Sequence, residues 1–398
     1  MLALGGIAGL AAVEAGLKVI AATPLWRVLP VIEPILGAPD YNIGYGFTPH
    51  VSGIWVRENR APLTITDLGL RGPAGIEVAK RPGEIRVAIT GDSHVEGLQV
   101  EYQYTFTALT QAMLNRAARL PESVRQVQVL NLAMSGIGPL RQLVRLEHFG
   151  YSLQPDVVML ISDASDFLTS EMTDDRLNPG YVPDASGKLV RGYAYRNRLS
   201  MRYADTIPGR AFLGLLRHSE VARLLYLRSK NSMLHILGLA PAARPTPKSA
   251  AHDGCHQDVL ASLHRLWVGH APERHWQAAT VLLDEYSAGA REHRVAAFYA
   301  MRNLPVPKTA CAEQQAMRAA TVAVITAELA RRGINFIDID RALADRLRAE
   351  SSDDLSHLYG FGRQLGGGHL NYEGHQAYAT VLSEVVARSL RERPQSPN

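Results

Sequence analysis

The chain has 398 residues, enough for a large buried core in one enlarged domain or two smaller ones. Hydrophobic residues make up 46% and charged residues 20%, which excludes a disordered chain. The 42 basic and 38 acidic residues give a formal charge of only +4 and are interspersed, so no clustered basic face suggests a nucleic-acid partner.

Residues 1–13 carry no charged side chain, and Glu14 and Lys18 alone interrupt the apolar run to Ala22. Twenty-two helical residues span about 33 Å, enough to cross a bilayer. Two ionisable groups inside such a span are costly, so a membrane anchor and a buried or amphipathic helix are both open readings. We take residues 1–23 as a membrane-anchoring helix. Pro24, Pro30, Pro34, Gly37 and Pro39 then mark a linker, and residues 24–80 form a lead-in with short β-like pieces around Gly44, Gly46 and Gly53.

An α/β alternation follows. Ile85–Thr90, Val127–Leu132 and Val157–Ile161 read as buried strands, separated by helices over Thr105–Ala118 and Leu140–Phe149. The alternation resumes with helices at Trp276–Glu292 and Gln314–Arg331, strands at Val295–Met301 and Phe336–Ile339, and a closing helix at Gly374–Arg391. This pattern predicts βαβ crossovers and a parallel sheet covered on both faces, in a domain over 81–394. The stretch of about 170–258 interrupts it. There, 181–190 suggests a hairpin turning at Ser186-Gly187, Ala211–Leu239 reads as an apolar helix, and Pro241–Gly254 reads as a loop. Such an insertion over a sheet is either a lid or substrate-binding wall, or extra packing.

The sharpest local signal is Gly91-Asp92-Ser93-His94 directly after the first strand of the alternation. A serine there lies at the carboxyl edge of the sheet, where open α/β sheets bind ligands. Asn131-Leu132-Ala133-Met134-Ser135-Gly136 follows the next strand, Pro155-Asp156 opens the third, and Gly368-His369-Leu370-Asn371 precedes Glu373-Gly374-His375 near the C-terminus. Cys255 and Cys311 lack metal-ligand spacing and are either two thiols or one disulfide; the scattered histidines give no metal signature.

These four blocks, in this order over about 85–390, resemble the SGNH/GDSL hydrolases; the N-terminal apolar segment and lead-in resemble membrane-anchored bacterial members. The resemblance implies a three-layer flavodoxin-like sandwich around a central parallel sheet, the SGNH hydrolase fold, with a helical and hairpin insertion. It also implies a carboxylic-ester hydrolase or O-acyltransferase without cofactor or metal. Ser93 would be the nucleophile and His369 its base, with His375 packing the loop and His94 a neighbour. The oxyanion donors would come from Ser93, Gly136 and Ser165, the last standing where the family has asparagine. The family's aspartate is missing before His369, where Gly366 and Gly367 stand. Asp353 or Asp354 is the expected orienting acid, Asp338 and Asp340 are further candidates, and a Ser-His dyad is the alternative. The implied substrate is an acylated small molecule or glycan, on a cell-envelope glycan or lipid, reached from the extracytoplasmic side. The competing readings are a degenerate protein that binds a carbohydrate or protein partner without turnover, and a scaffold in a membrane complex docking through 211–239.

Overall fold

The computed structural model describes residues 2–73, 75–116, 124–236, 258–304, 306, 311–349 and 355–392. Helix α1, Leu2–Ala22, is followed by a short 3₁₀ turn at Pro24–Arg27 and two hairpins, β1 Gly37–Asp40 with β2 Gly44–Phe47 and β3 Ser52–Trp55 with β4 Ala61–Thr64. The main sheet then alternates with helices: β5 Glu84–Thr90, α2 Ser93–Glu96, α3 Phe106–Arg116, β6 Gln126–Asn131, α4 Pro139–Arg145 and β7 Val157–Asp163. The insertion contributes hairpin β8 Gly180–Pro183 and β9 Leu189–Gly192, then α5 Leu199–Ala204, α6 Ile207–His218 and α7 Glu220–Ile236. The remainder is α8 Asp258–Trp267, α9 Glu273–Glu292, β10 Ala296–Arg302, α10 Ala312–Ala330, β11 Ile334–Asp338, α11 Ile339–Ala349 and α12 Tyr372–Glu392.

The five-stranded sheet is parallel throughout, in the order β11-β10-β7-β5-β6. Counted along the chain this is 2-1-3-4-5, the flavodoxin-like order whose switch point lies between the first and third strands. Here those strands are β5 and β7, so the carboxyl end of β5 opens into the crevice.

Strand periodicity builds the three layers. In β7, Val158 and Leu160 point to one face while Val157, Met159 and Ile161 point to the other. The first face packs on α4, α8, α9 and α10 through Leu140, Leu143, Leu266, Leu282, Tyr286 and Leu329. The second packs on α3, α11 and α12 through Phe106, Leu114, Leu343, Tyr378, Leu382 and Val386.

Buried arginines lash the lead-in to this sandwich. Arg86 of β5 donates to the carbonyls of Glu77, Val78, Ala79 and Leu153 and pairs with Glu84. Removing such a buried hydrogen-bonded charge costs about 3–5 kcal/mol. Arg71 spans the lead-in and the site, donating to the carbonyls of Glu96, Gly97 and Val100.

Over its described part, which ends at Ile236, the expected 211–239 helix is two helices. Ser219 takes an extended backbone, with φ −118° and ψ 119°, and ends α6 before α7 starts. The hairpin turns at Gly187, in the left-handed region at φ 83°. The loop expected over 241–254 lies outside the described residues.

Candidate active site

Ser93 opens α2 immediately beyond β5. Asp92 caps this helix, accepting from His94 N at 3.0 Å, and Gly97 ends it in the left-handed region at φ 62°. As the first helical residue, Ser93 has an amide that no helical carbonyl can reach.

Across the crevice, His369 Nε2 lies 2.8 Å from Ser93 Oγ, bringing together residues 276 positions apart. The other ring nitrogen, Nδ1, lies 2.7 Å from Glu58 Oε1, and the backbone amide of His369 donates to Glu58 Oε2 at 3.0 Å. A carboxylate facing Nδ1 accepts, so the imidazole proton sits there and the Nε2 lone pair faces the serine hydroxyl. Gly368 makes the double contact sterically feasible. Its φ is 82°, and a Cβ there would lie 2.9 Å from Glu58 Oε2.

Glu58 sits in the β3–β4 turn with φ 65°, a left-handed conformation that costs a non-glycine residue energy. Its neighbours hold it there. Arg57 pairs with Glu33, Asn59 Nδ2 donates to Gln99 O at 2.8 Å, and Arg60 Nη1 donates to the carbonyls of Trp26 and Leu29.

The acid facing His369 is therefore not one of those expected from the sequence. Asp353 and Asp354 lie outside the described residues. Asp338 pairs with Arg318 at 2.6 Å, and Asp340 accepts from Leu304 N at 2.9 Å.

The second block folds against α2. Asn131 donates to Val95 O and accepts from Ala133 N, fixing the turn after β6. Glu96, fully buried, accepts from both the amide and the hydroxyl of Ser135, while Gly136 has φ 71° and open space where a Cβ would stand. Burial pushes the Glu96 carboxyl up to about 7, against the opposing pull of Ser135, Arg71 and Arg145. Nothing in the sequence around Glu96 signals this role, because a glutamate at the end of a short helix ordinarily faces solvent.

Ser165 departs from expectation. Its Oγ donates to Asp163 Oδ1 at 2.7 Å and its amide donates to the same atom, so its one hydroxyl proton is committed to a turn. Asp163 and Asp92 are linked by Arg302, whose guanidinium lies 3.3 Å from Asp163 and bonds Asp92 directly; Asn303 Nδ2 also donates to Asp163.

Two further histidines line the region. The His94 ring centroid lies 4.8 Å from that of His369, and burial, followed by Arg302 and His369, holds His94 well below the usual imidazole range. His375 accepts from Phe106 N through Nδ1, and burial lowers it to about 3. The loop carrying His369 also frames a hollow of about 580 Å³ lined by His357, Phe361, Leu365, Asn371 and Tyr372. Among the described residues no cluster of three or more His, Cys, Asp or Glu side chains is arranged to hold a metal.

Solved structures with similar chains exist. A lipase/acylhydrolase from Enterococcus faecalis is 11% identical with a TM-score of 0.34, covering 79% of this chain and 100% of its own. The acetyl xylan esterase AlAXEase is 12% identical with a TM-score of 0.36, covering 76% and 100%. A catalytic mutant of Axe2, an acetylxylan esterase from Geobacillus stearothermophilus, is 9% identical with a TM-score of 0.35, covering 79% and 97%. No protein-family model matches the sequence, and no curated protein matches it. The chemistry therefore rests on this chain's own atoms.

Proposed function

We propose that the chain is a serine acyl-ester hydrolase or O-acyltransferase of the SGNH/GDSL type, with Ser93 as nucleophile, His369 as base and Glu58 as orienting acid. The observation that carries this reading is the unbroken hydrogen-bonded chain from Ser93 Oγ through both nitrogens of His369 to Glu58.

In this mechanism Ser93 Oγ attacks the ester carbonyl while His369 Nε2 takes its proton. Glu58 keeps the imidazole in the right tautomer and balances the charge of the imidazolium. The amides of Ser93 and Gly136 donate to the tetrahedral oxyanion, and Glu96 steadies the Gly136 turn through Ser135. His369 then returns its proton to the departing alcohol oxygen, leaving an acyl-serine. A second nucleophile, either water or an acceptor hydroxyl, attacks the acyl-serine with His369 again as base, and Ser93 recovers its proton.

In the same reading α1 tethers the domain to a bilayer, its window Gly5–Ala22 having a mean hydropathy of 1.5 and no buried residues. Cys311 is disulfide-bonded, which supports an oxidising, extracytoplasmic setting; Cys255, the chain's other cysteine, lies outside the described residues. The substrate class is an acylated or acetylated cell-envelope glycan or lipid.

Labelling with a fluorophosphonate probe tests the reading. Wild-type protein is expected to label at Ser93 and Ser93→Ala to remain unlabelled. Folded wild-type protein that resists the probe would return the binding-only alternative.

A further inference from the structure

Resting on the reading of α1 as a bilayer tether, we infer that α1 and the α6–α7 hairpin form one membrane-seated unit. In it, Glu14 of α1 caps α7, and the outer faces of α6 and α7 lie against lipid.

Glu14 and Lys18 make α1 an unusual span, because charged groups at membrane depth are costly unless paired. Both are paired. Lys18 Nζ lies 3.0 Å from Glu14 Oε1. The same carboxylate accepts from Ser219 Oγ at 3.0 Å, Glu220 N at 3.1 Å and Val221 N at 2.9 Å. The first amides of a helix have no partner within it, so a carboxylate from another helix satisfies them and complements the positive helix end. A leader removed from the finished protein would strip α7 of this cap. In this inference α1 is therefore a retained structural partner of α7.

The hairpin it holds has a face without a protein partner among the described residues. Ile207, Ala211 and Leu215 recur every fourth residue along one stripe of α6, with Ile207 87% and Leu215 56% exposed. On α7, Leu225 is 63% exposed and Leu224 lies beside it. Phe212 meets Tyr226 edge-on, with ring centroids 5.8 Å apart, fastening the two helices. On α1, which Glu14 joins to α7, Ile7, Leu10, Val13 and Val19 are also exposed. Exposed apolar area of this kind marks an interaction surface.

Charge selects the occupant. Between 198 and 229 the chain carries six arginines, at 198, 202, 210, 217, 223 and 228, against Asp205 and Glu220. All but Arg223, which is buried against Glu220, are exposed. Long cationic side chains beside an apolar stripe are the pattern of a helix lying at the headgroup boundary, where stems bury and guanidinium groups reach lipid phosphates. The partner that fits is an anionic bilayer.

The test uses the full chain reconstituted in phosphatidylethanolamine/phosphatidylglycerol vesicles, with single nitroxide labels on Leu215→Cys, Leu225→Cys, Val13→Cys and, as the water reference, Thr326→Cys on the exposed side of α10. Collision with oxygen and with a water-soluble nickel chelate reports depth. The labels at 13, 215 and 225 are expected to be oxygen-accessible and shielded from nickel, with at least a several-fold difference from 326. A deep label at 13 with water-like labels at 215 and 225 overturns the inference and leaves the tether standing. Water-like labels at all three positions overturn both. Dipolar broadening between labels of two molecules at 215 or 225, falling as protein is diluted in lipid, assigns the face to a second copy and also overturns it. Fluorophosphonate labelling of the same samples reads the Ser93 chemistry separately.

Discussion

Glu58 and His369, 311 residues apart, meet through two hydrogen bonds that use both oxygens of one carboxylate. One orients the imidazole ring and the other fixes the backbone beneath it. Glu58→Gln is expected to retain the backbone contact while presenting the wrong partner to Nδ1, lowering kcat by about 10⁴. Glu58→Asp, one methylene shorter, should fall between the two. Steady-state hydrolysis of p-nitrophenyl acetate, with melting temperature as a folding control, checks this; a Gln variant at wild-type rate would remove Glu58 from the mechanism.

Ser165 and Gly136 should respond in opposite ways. Because the Ser165 hydroxyl is committed to Asp163, Ser165→Ala is expected to change kcat by less than about tenfold, against the 10²–10³ of a lost oxyanion donor. Gly136→Ala strains a backbone at φ 71° and tilts the amide assigned to the oxyanion, so its loss should reach that larger range. Comparing the two kcat values decides between them.

Arg302 lies with its side chain 3% exposed between Asp92, which caps α2, and Asp163, which caps the turn after β7. Arg302→Met leaves two carboxylates facing a site built for a cation. A loss of about 3–5 kcal/mol in unfolding free energy is expected, with Arg302→Lys recovering part of it. Urea denaturation measures both.

Glu96 gives a pH signature. Its carboxyl is raised from 4.5 to about 7 in the fold, so the native state holds a proton that the unfolded chain has already released. The stability this confers is complete below about pH 4.5 and is lost as pH rises through 7. Glu96→Gln does not titrate. Its stability relative to wild type should therefore climb between pH 4.5 and 7.5, by up to about 3 kcal/mol, and then level off. Parallel stability curves for the two proteins across that range would show that Glu96 is already ionised in the fold.

Much of the layered core was legible in the sequence because its signals are local. The strands β5, β6 and β7 are short apolar runs ending in turn residues, and Ser93, Gly136 and His369 each lie in a block of neighbouring residues. Glu58 was not legible. Arg57-Glu58-Asn59-Arg60 reads as a solvated polar turn, and only the tertiary path of the β3–β4 hairpin brings its one acid to the imidazole. Proximity in sequence points to Asp353 and Asp354, whereas the acid that faces His369 lies 311 positions upstream. The break between α6 and α7 has a local signal, Ser219, whose Oγ accepts from Ala222 N at 3.1 Å, and only the added cap from Glu14 comes from more than 200 positions away.

Arg57 and Arg60 bracket Glu58 and are fastened to Glu33 and to the carbonyls of Trp26 and Leu29, the stretch that leaves α1. The third member of the proposed triad is thus latched to the stalk. A fragment beginning at residue 35 would retain serine and histidine yet lack the anchor points that pin the acid's turn. Catalytic competence would then depend on residues 26–33 as well as on the serine and the histidine, although none of that stretch touches the reacting atoms.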